Sequence, residues 1–547
     1  MFDPIKMTPA FKEMPWGGDK LKEVYHKNIP SDHTGESWEM SAIPGSESTA
    51  ANGVYAGKPL SEIIAADPCG VLGRGADTRF GGEMPLLFKI IDARAPLSVQ
   101  VHPGDDYARI HENGLGKTEM WYVLDADPGA GLYAGFSRPI TKAEYEQRIA
   151  DNTLKDVLNF IEVTPGDCVF LPAGMVHAIG EGLLISEIQQ SSATTYRVYD
   201  WGRVGLDGKP RQLHIEKAKD VSCLSMIGRA VRGIGDGAKT ALPACPYFEG
   251  FKWTASAGET DRIDTAGESF TVLFCAAGTV SVAGRSETVT LTAGETCLLP
   301  AVCAADITAD TDCVLLSYRT PAEAPVKAAI FDLDGTLLNT IDDLCDSMNI
   351  AMEQFGFPTH TPKDCLYFIG NGAKKFAERA MPAEARQDDA LVEQVLAAYK
   401  EAYAVHYLDK TAPYDGIREM LTTLHEMGVK LCVLSNKPHD KTNEMTRHFF
   451  GDLPFAVING GRAGVKLKPD AGAITEILDL IGADKAHTFY VGDSDVDMFT
   501  ANNAGVFACA ACWGFRPMDE LREAGADALC MTAYDALDCA KTFFEGK

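Results

Sequence analysis

The feature that most limits what this chain can fold into is a change of texture near residue 320. From about Lys89 to Ser317, short apolar segments such as LSVQVHP, EMWYVL, CVFLPAG and ETCLLPA follow one another closely, punctuated by Gly, Pro and Asp. Such spacing predicts β-strands closed into a barrel or sandwich. A helical insertion is expected around Thr141–Phe160. Beyond the Pro/Ala-rich stretch RTPAEAPV (Arg319–Val326), apolar strands (AAIFDLDG, KLCVLSN, TFYVGDSD) alternate with amphipathic tracts, the signature of a parallel sheet in an α/β domain. Two textures of this kind do not share one core, and 547 residues exceed what one core holds.

A formal charge of −27 argues against nucleic acid and against an anionic membrane surface, since both require clustered Lys and Arg. A phosphorylated small molecule is compatible with it only through a local cationic or metal-bearing pocket. The 15 cysteines are scattered singly and read as reduced, mostly buried thiols; the one CxxC, Cys509 to Cys512, has no second pair in sequence. No signal segment and no apolar run near ~20 residues is present, so a cytoplasmic protein is expected.

In LSVQVHP, alternation places Ser98, Gln100 and His102 on one face of a strand, and Pro103 ends it. Glu119 shares a face with Trp121 and Val123, and a Pro-Ala-Gly turn delivers His177 onto another strand. Two imidazoles, a carboxylate and an amide oxygen make a mixed N/O set suited to Zn²⁺ or a related ion, although each residue alone reads as a lone polar group in a barrel. QVHP, Lys117-Thr118-Glu119, LPAGMVHAI and TYRVYDWGR, with PWGG (Pro15–Gly18) and GESWEMS (Gly35–Ser41), resemble type I phosphomannose isomerases of the short bacterial form. The resemblance spans nearly all of residues 1–319. It implies a cupin-type barrel, with a catalytic domain over residues 1–237 and a second cupin segment over residues 238–319, and interconversion of mannose 6-phosphate and fructose 6-phosphate. It also implies zinc held by Gln100, His102, Glu119 and His177, and Arg197 stabilising charge on an enediol. Lys117 either contacts substrate or is a solvated surface lysine.

In the second half, VKAAIFDLDGT ends in D-x-D, so Asp332 and Asp334 project from the C-terminal end of a strand, where open parallel sheets place ligands. CVLSN (Ser435, Asn436), KLKPD (Lys468) and FYVGDSDVD (Asp493, Asp497) are read as ending likewise. Converging carboxylates repel one another and take up protons unless a cation intervenes; Mg²⁺ and Lys468 would supply it. DLDGT, a strand-ending Ser, K-P and GDSxxD resemble the haloacid dehalogenase superfamily over residues 326–547. The resemblance implies an α/β Rossmann-like domain (327–547, after a linker at 320–326) with a helical cap at about 341–424. In it Asp332 is the nucleophile and Asp334 the acid/base, while Ser435, Asn436 and Lys468 bind phosphate. Mg²⁺ is held by Asp332, Asp334 (through its backbone carbonyl) and Asp493, with Asp497 supporting. FIGNGAKKF (Phe368–Phe376) resembles phosphoglycolate-phosphatase-type members; its Gly-Asn-Gly either opens an anion-attracting helix or is an ordinary turn.

The expectation is therefore a bifunctional sugar-phosphate enzyme, with release of mannose from mannose 6-phosphate as one candidate reaction of its phosphatase half. The rivals are a generalist or phosphoglycolate-type phosphatase, a phosphomutase, and a first half that binds sugar without catalysis.

Overall fold

The computed structural model describes residues 2–232, 239–321, 325–370 and 372–545. The chain divides into two compact units, residues 1–324 and 325–544. The expected boundary at 237/238, residues 322–324 of the expected linker, and Asn371 of Gly-Asn-Gly all lie outside the described residues. Among the described residues no helix is long and apolar enough to cross a membrane.

The first unit is built from antiparallel sheets. One, seven strands wide, carries Glu119–Ala126 between Cys168–Leu171 and Leu183–Gln190. Facing it, a five-stranded sheet runs Tyr196–Tyr199, Val99–Val101, His177–Ile179, Gly131–Phe136 and Leu158–Glu162. Val99 and Val101 are buried in the apolar cluster behind this second sheet, as alternation requires, so Gln100 faces the other way. A further seven-stranded and a four-stranded sheet form the second β-rich region. The strand Ile5–Thr8 pairs there with Thr296–Leu299, so the N-terminal residues belong by pairing to the second region rather than to the first. The expected insertion at Thr141–Phe160 is an α-helix over Lys142–Ala150, capped by the Thr141 side chain, followed by a 3₁₀ turn at Leu154–Val157; Leu158–Glu162 is already a strand.

The second unit is a six-stranded parallel sheet ordered Phe455–Gly461, Lys430–Pro438, Val326–Phe331, Ala483–Gly492, Phe507–Ala511, Ala528–Cys530. Its central strand is apolar and buried on both faces, and it delivers Asp332 at its C-terminal end. Helices Ile341–Gln354, Ala373–Ala380 and Asp389–His406 gather around an apolar cluster of their own. The expected helical tract to Leu424 is shorter than read. The chain returns through the short strand Ala412–Pro413, and the next helix, Ile417–Glu426, packs against the Lys430–Pro438 strand. Lys468 is not at a strand end but in a turn ahead of helix Gly472–Ile481, because the strand Phe455–Gly461 stops seven residues earlier. No cysteine is in a disulfide among the described residues, and all but Cys69 and Cys512 are buried. Cys509 nevertheless has neighbours that sequence spacing hides: Cys530 and Cys539 approach it in the core, while Cys512 stays outside that group.

Candidate active sites

In the first unit Gln100 and His177 sit opposite each other on paired strands, and Glu119 comes from the facing sheet. His102 follows directly on the Gln100 strand. The two imidazole rings lie 4.8 Å apart. Their Nε2 atoms stand 3.5 Å (His102) and 3.1 Å (His177) from the Glu119 carboxylate, and the Gln100 amide is 3.3 Å from His177 Nε2. Each imidazole is oriented from behind: His102 Nδ1 donates to the Thr194 carbonyl at 2.9 Å and His177 Nδ1 to that of Met175 at 2.8 Å. With hydrogen on Nδ1, both Nε2 lone pairs face the carboxylate, whose two oxygens accept no well-aligned hydrogen bond.

Lone pairs turned on lone pairs in a fully buried pocket need a cation. Lys117 provides one at the edge, 2.9 Å from Glu119 and 3.1 Å from His102 Nε2. Lys117 is only 4% exposed, so the surface-lysine reading is wrong: its short tether to Glu119 brings it into the pocket. Burial opposes ionisation of Glu119, but the adjacent Lys117 ammonium holds its carboxyl well below the usual range. Burial and then Lys117 push His102 well below the usual imidazole value, leaving it neutral and fit to ligate. Two imidazoles, a carboxylate and an amide fit a borderline divalent ion such as zinc. Arg197 pairs with Gln100 across the strands; its guanidinium donates to Ser98 Oγ and the Gln212 carbonyl, and its pKa is lowered, chiefly by burial.

Sequence reading missed the second layer of this pocket. Trp121 stands edge-on to His177 and donates to Glu187; Glu187 in turn pairs with the buried Lys89 at 2.9 Å. The signal was present: Lys89 and Glu187 are charges set at buried positions of apolar strands (LLFKIIDA, LLISEIQQ), where burial favours their pairing.

In the second unit, Asp332, Asp493 and Asp497 bring carboxylate oxygens within 4.8 Å of one another. Burial first, then Asp497 and Asp334, raise Asp332 to about 7 against the pull of Lys468. Asp493 is likewise pushed well above its ordinary value by burial, then by Asp497 and Asp332. Lys468 lies 2.9 Å from Asp332 and 2.6 Å from Asp497 and cannot neutralise all three. An all-oxygen set short of positive charge fits a hard divalent ion. Asp497 is already committed to Lys468, Tyr490 and Ser494, which suits a supporting place. Asp493 accepts from Phe515 N and Thr336 Oγ1. Gly335 is obligatory beside it: with φ +85°, an added Cβ would lie 2.1 Å from Asp493 Oδ2.

Ser435 is buried within its strand, which continues to Pro438 and so does not end at Ser435–Asn436 as expected; Asn436 accepts from Lys468 N while donating to Lys468 O and Gly370 O, so its amide sets the Lys468 turn. The Asp334 side chain turns away from the carboxylate group toward Lys437 Nζ, 3.0 Å from both of its oxygens. Lys437 was missed, although strand alternation puts it on the face of Ser435. These groups open onto a cavity of about 290 Å³, also lined by Phe376, Tyr399, Tyr403 and Arg516.

Comparison with known proteins agrees with both constellations. The family model for the phosphomannose isomerase type I catalytic domain matches residues 5–127, and that for haloacid dehalogenase-like hydrolases matches residues 329–511. A mannose-6-phosphate isomerase of Streptococcus mutans is 41% identical over 262 residues, 47% of this chain and 80% of that protein. The crystal structure of the Bacillus subtilis mannose 6-phosphate isomerase superposes with a TM-score of 0.51 at 32% identity, covering 58% of this chain and 99% of that one. A phosphoglycolate phosphatase of Thiobacillus denitrificans is 31% identical over 202 residues, 36% of this chain and 89% of that protein. The chain therefore belongs to the type I phosphomannose isomerases through its first unit and to the haloacid dehalogenase-like hydrolases through its second.

Proposed function

We propose that the chain is a bifunctional sugar-phosphate enzyme: a mannose-6-phosphate isomerase joined to a phosphatase. In the first unit Gln100, His102, Glu119 and His177 would hold zinc, which when bound polarises the sugar oxygens as a Lewis acid. Moving a proton between adjacent carbons of the sugar develops negative charge on oxygen. The half-buried Arg197 and the buried Lys117 offer fixed cationic N–H groups to that charge.

In the second unit Asp332, Asp493 and the backbone carbonyl of Asp334 would hold Mg²⁺, which when bound screens the phosphoryl oxygens. Ser435 and Lys468 grip the phosphoryl group. An Asp332 oxygen attacks phosphorus, the bond to the sugar oxygen breaks, and Asp334 protonates that oxygen. Asp334 then takes a proton from the water that cleaves the aspartyl-phosphate, releasing inorganic phosphate. Its substrate, on this reading, is the isomerase's own metabolite, mannose 6-phosphate. The cavity of about 290 Å³, faced by Phe376, Tyr399 and Tyr403, favours a hexose, since aromatic faces suit a sugar ring better than a two-carbon acid. The second reading, a phosphoglycolate-type phosphatase, rests on the 31% identity to such an enzyme.

The observation that carries the isomerase reading is the pair of imidazoles whose Nε2 atoms are aimed at Glu119 by backbone carbonyls behind them. Stripped protein reloaded with zinc should regain mannose 6-phosphate to fructose 6-phosphate conversion; metal-replete protein without turnover would leave a sugar-binding module in its place.

A further inference from the structure

We propose that Lys437, held by Tyr403, is the positioning residue of the phosphatase site: it fixes the carboxylate of Asp334 and so governs proton delivery to the departing sugar oxygen. This rests on the reading of Asp334 as the acid/base. An ammonium group has three N–H donors, and each of those of Lys437 has an acceptor. Two oxygens of Asp334 lie at 3.0 Å and the Tyr403 hydroxyl at 2.6 Å. The cation also faces the Tyr403 ring, 4.7 Å from its centre. Lys437 is 8% exposed and its ammonium makes no other polar contact among the described residues, so its charge is buried for the sake of this one carboxylate.

The three members come from different regions of the unit. Asp334 follows the central strand, Lys437 lies near the end of its neighbour, and Tyr403 lies on helix Asp389–His406 of the helical cluster. Tyr399 stacks on Tyr403 one turn away, 5.7 Å between ring centres, and Phe376 packs edge-on against Tyr399. The aromatic row that walls the cavity is therefore also the support of the acid/base. A carboxyl group free to rotate delivers its proton poorly once protonated, and misplacement of a positioned acid costs a large share of the factor of about 10²–10⁴ that general acid catalysis supplies.

The distinguishing readout is dependence on the leaving group. A sugar alkoxide leaves only with a proton, whereas p-nitrophenolate leaves without one. In the full chain with Mg²⁺, Lys437→Met should lower kcat/KM, which reports the step that expels the leaving group and not the later hydrolysis of the aspartyl-phosphate, by about 10²-fold on mannose 6-phosphate and by less than about 5-fold on p-nitrophenyl phosphate. Tyr403→Phe, which keeps the ring and its packing, should show the same selectivity at about 3–10-fold and serves if Lys437→Met does not fold. Lys437→Arg should recover some of the lost rate. Asp334→Asn is the reference for the acid/base reading. If Asp334→Asn is leaving-group selective while Lys437→Met and Tyr403→Phe depress both substrates equally, the positioning role is overturned and the acid/base reading stands. If Asp334→Asn is itself unselective, the acid/base reading fails and the proposal with it.

Discussion

Glu119 is completely buried and faces two imidazole lone pairs, so its charge is tolerated only next to Lys117 and, in the functional state, a metal ion. Glu119→Gln should abolish stoichiometric zinc binding, read by atomic absorption, and reduce isomerase kcat by more than about 10³-fold while phosphate release is unchanged. Asp92 makes a separate, pH-dependent case. Burial raises its carboxyl to about 6, against the N–H groups of Leu21 and Lys20. Its folded value lies above the unfolded one, so its contribution to stability is full below pH ~4 and fades as pH rises through about 6. Asp92→Asn should therefore raise the melting temperature of the first unit at pH 8 and leave it nearly unchanged at pH 4; an equal effect at both would contradict the shift. At this scale sequence reading found the ligand types but not their partners. Gln100 and His102 share one segment while Glu119 and His177 stand in two others, and only strand pairing brings Glu187 and Lys89 up behind them. Lys437 escaped notice for a related reason: a lysine two residues past Ser435 looks like surface until Asp334 is placed against it.

Elements were legible where the apolar period was strong and flanked by turns. The Val99–Val101 and Val326–Phe331 strands follow directly from alternation and from an apolar run. Ends were less legible. The helical texture from Ile341 to Leu424 conceals a break, because Ile417–Glu426 is as amphipathic as its predecessors yet turns its apolar face to the sheet. Where the chain returns, the Asp343 carboxylate accepts from the backbone of Lys410 and Thr411 and from the Thr411 hydroxyl, tying the first helix of the insertion to its exit. Removing that buried acceptor leaves three donors unpaired. Asp343→Ala should cost the second unit about 2–3 kcal/mol in urea unfolding, where a loss under about 0.5 kcal/mol would show the tie to be incidental.

At the scale of the whole molecule, two enzyme families share one chain, and we propose that their sites share one metabolite. Each unit carries its own charged constellation and its own donor set, nitrogen and oxygen in the first, oxygen alone in the second. The composition fits this division of labour: a charge of −27 leaves anionic substrates only pockets where cations are concentrated, and Lys117, Arg197 and Lys468 mark those pockets. The most direct test feeds fructose 6-phosphate to the metal-replete chain and follows mannose 6-phosphate, free mannose, free fructose and inorganic phosphate together. The predicted order is mannose 6-phosphate first, then mannose and phosphate in equal amounts, with Asp332→Asn halting the sequence at the hexose phosphates. Release of fructose in place of mannose, or phosphate released faster from phosphoglycolate than from mannose 6-phosphate in a parallel incubation, would contradict it.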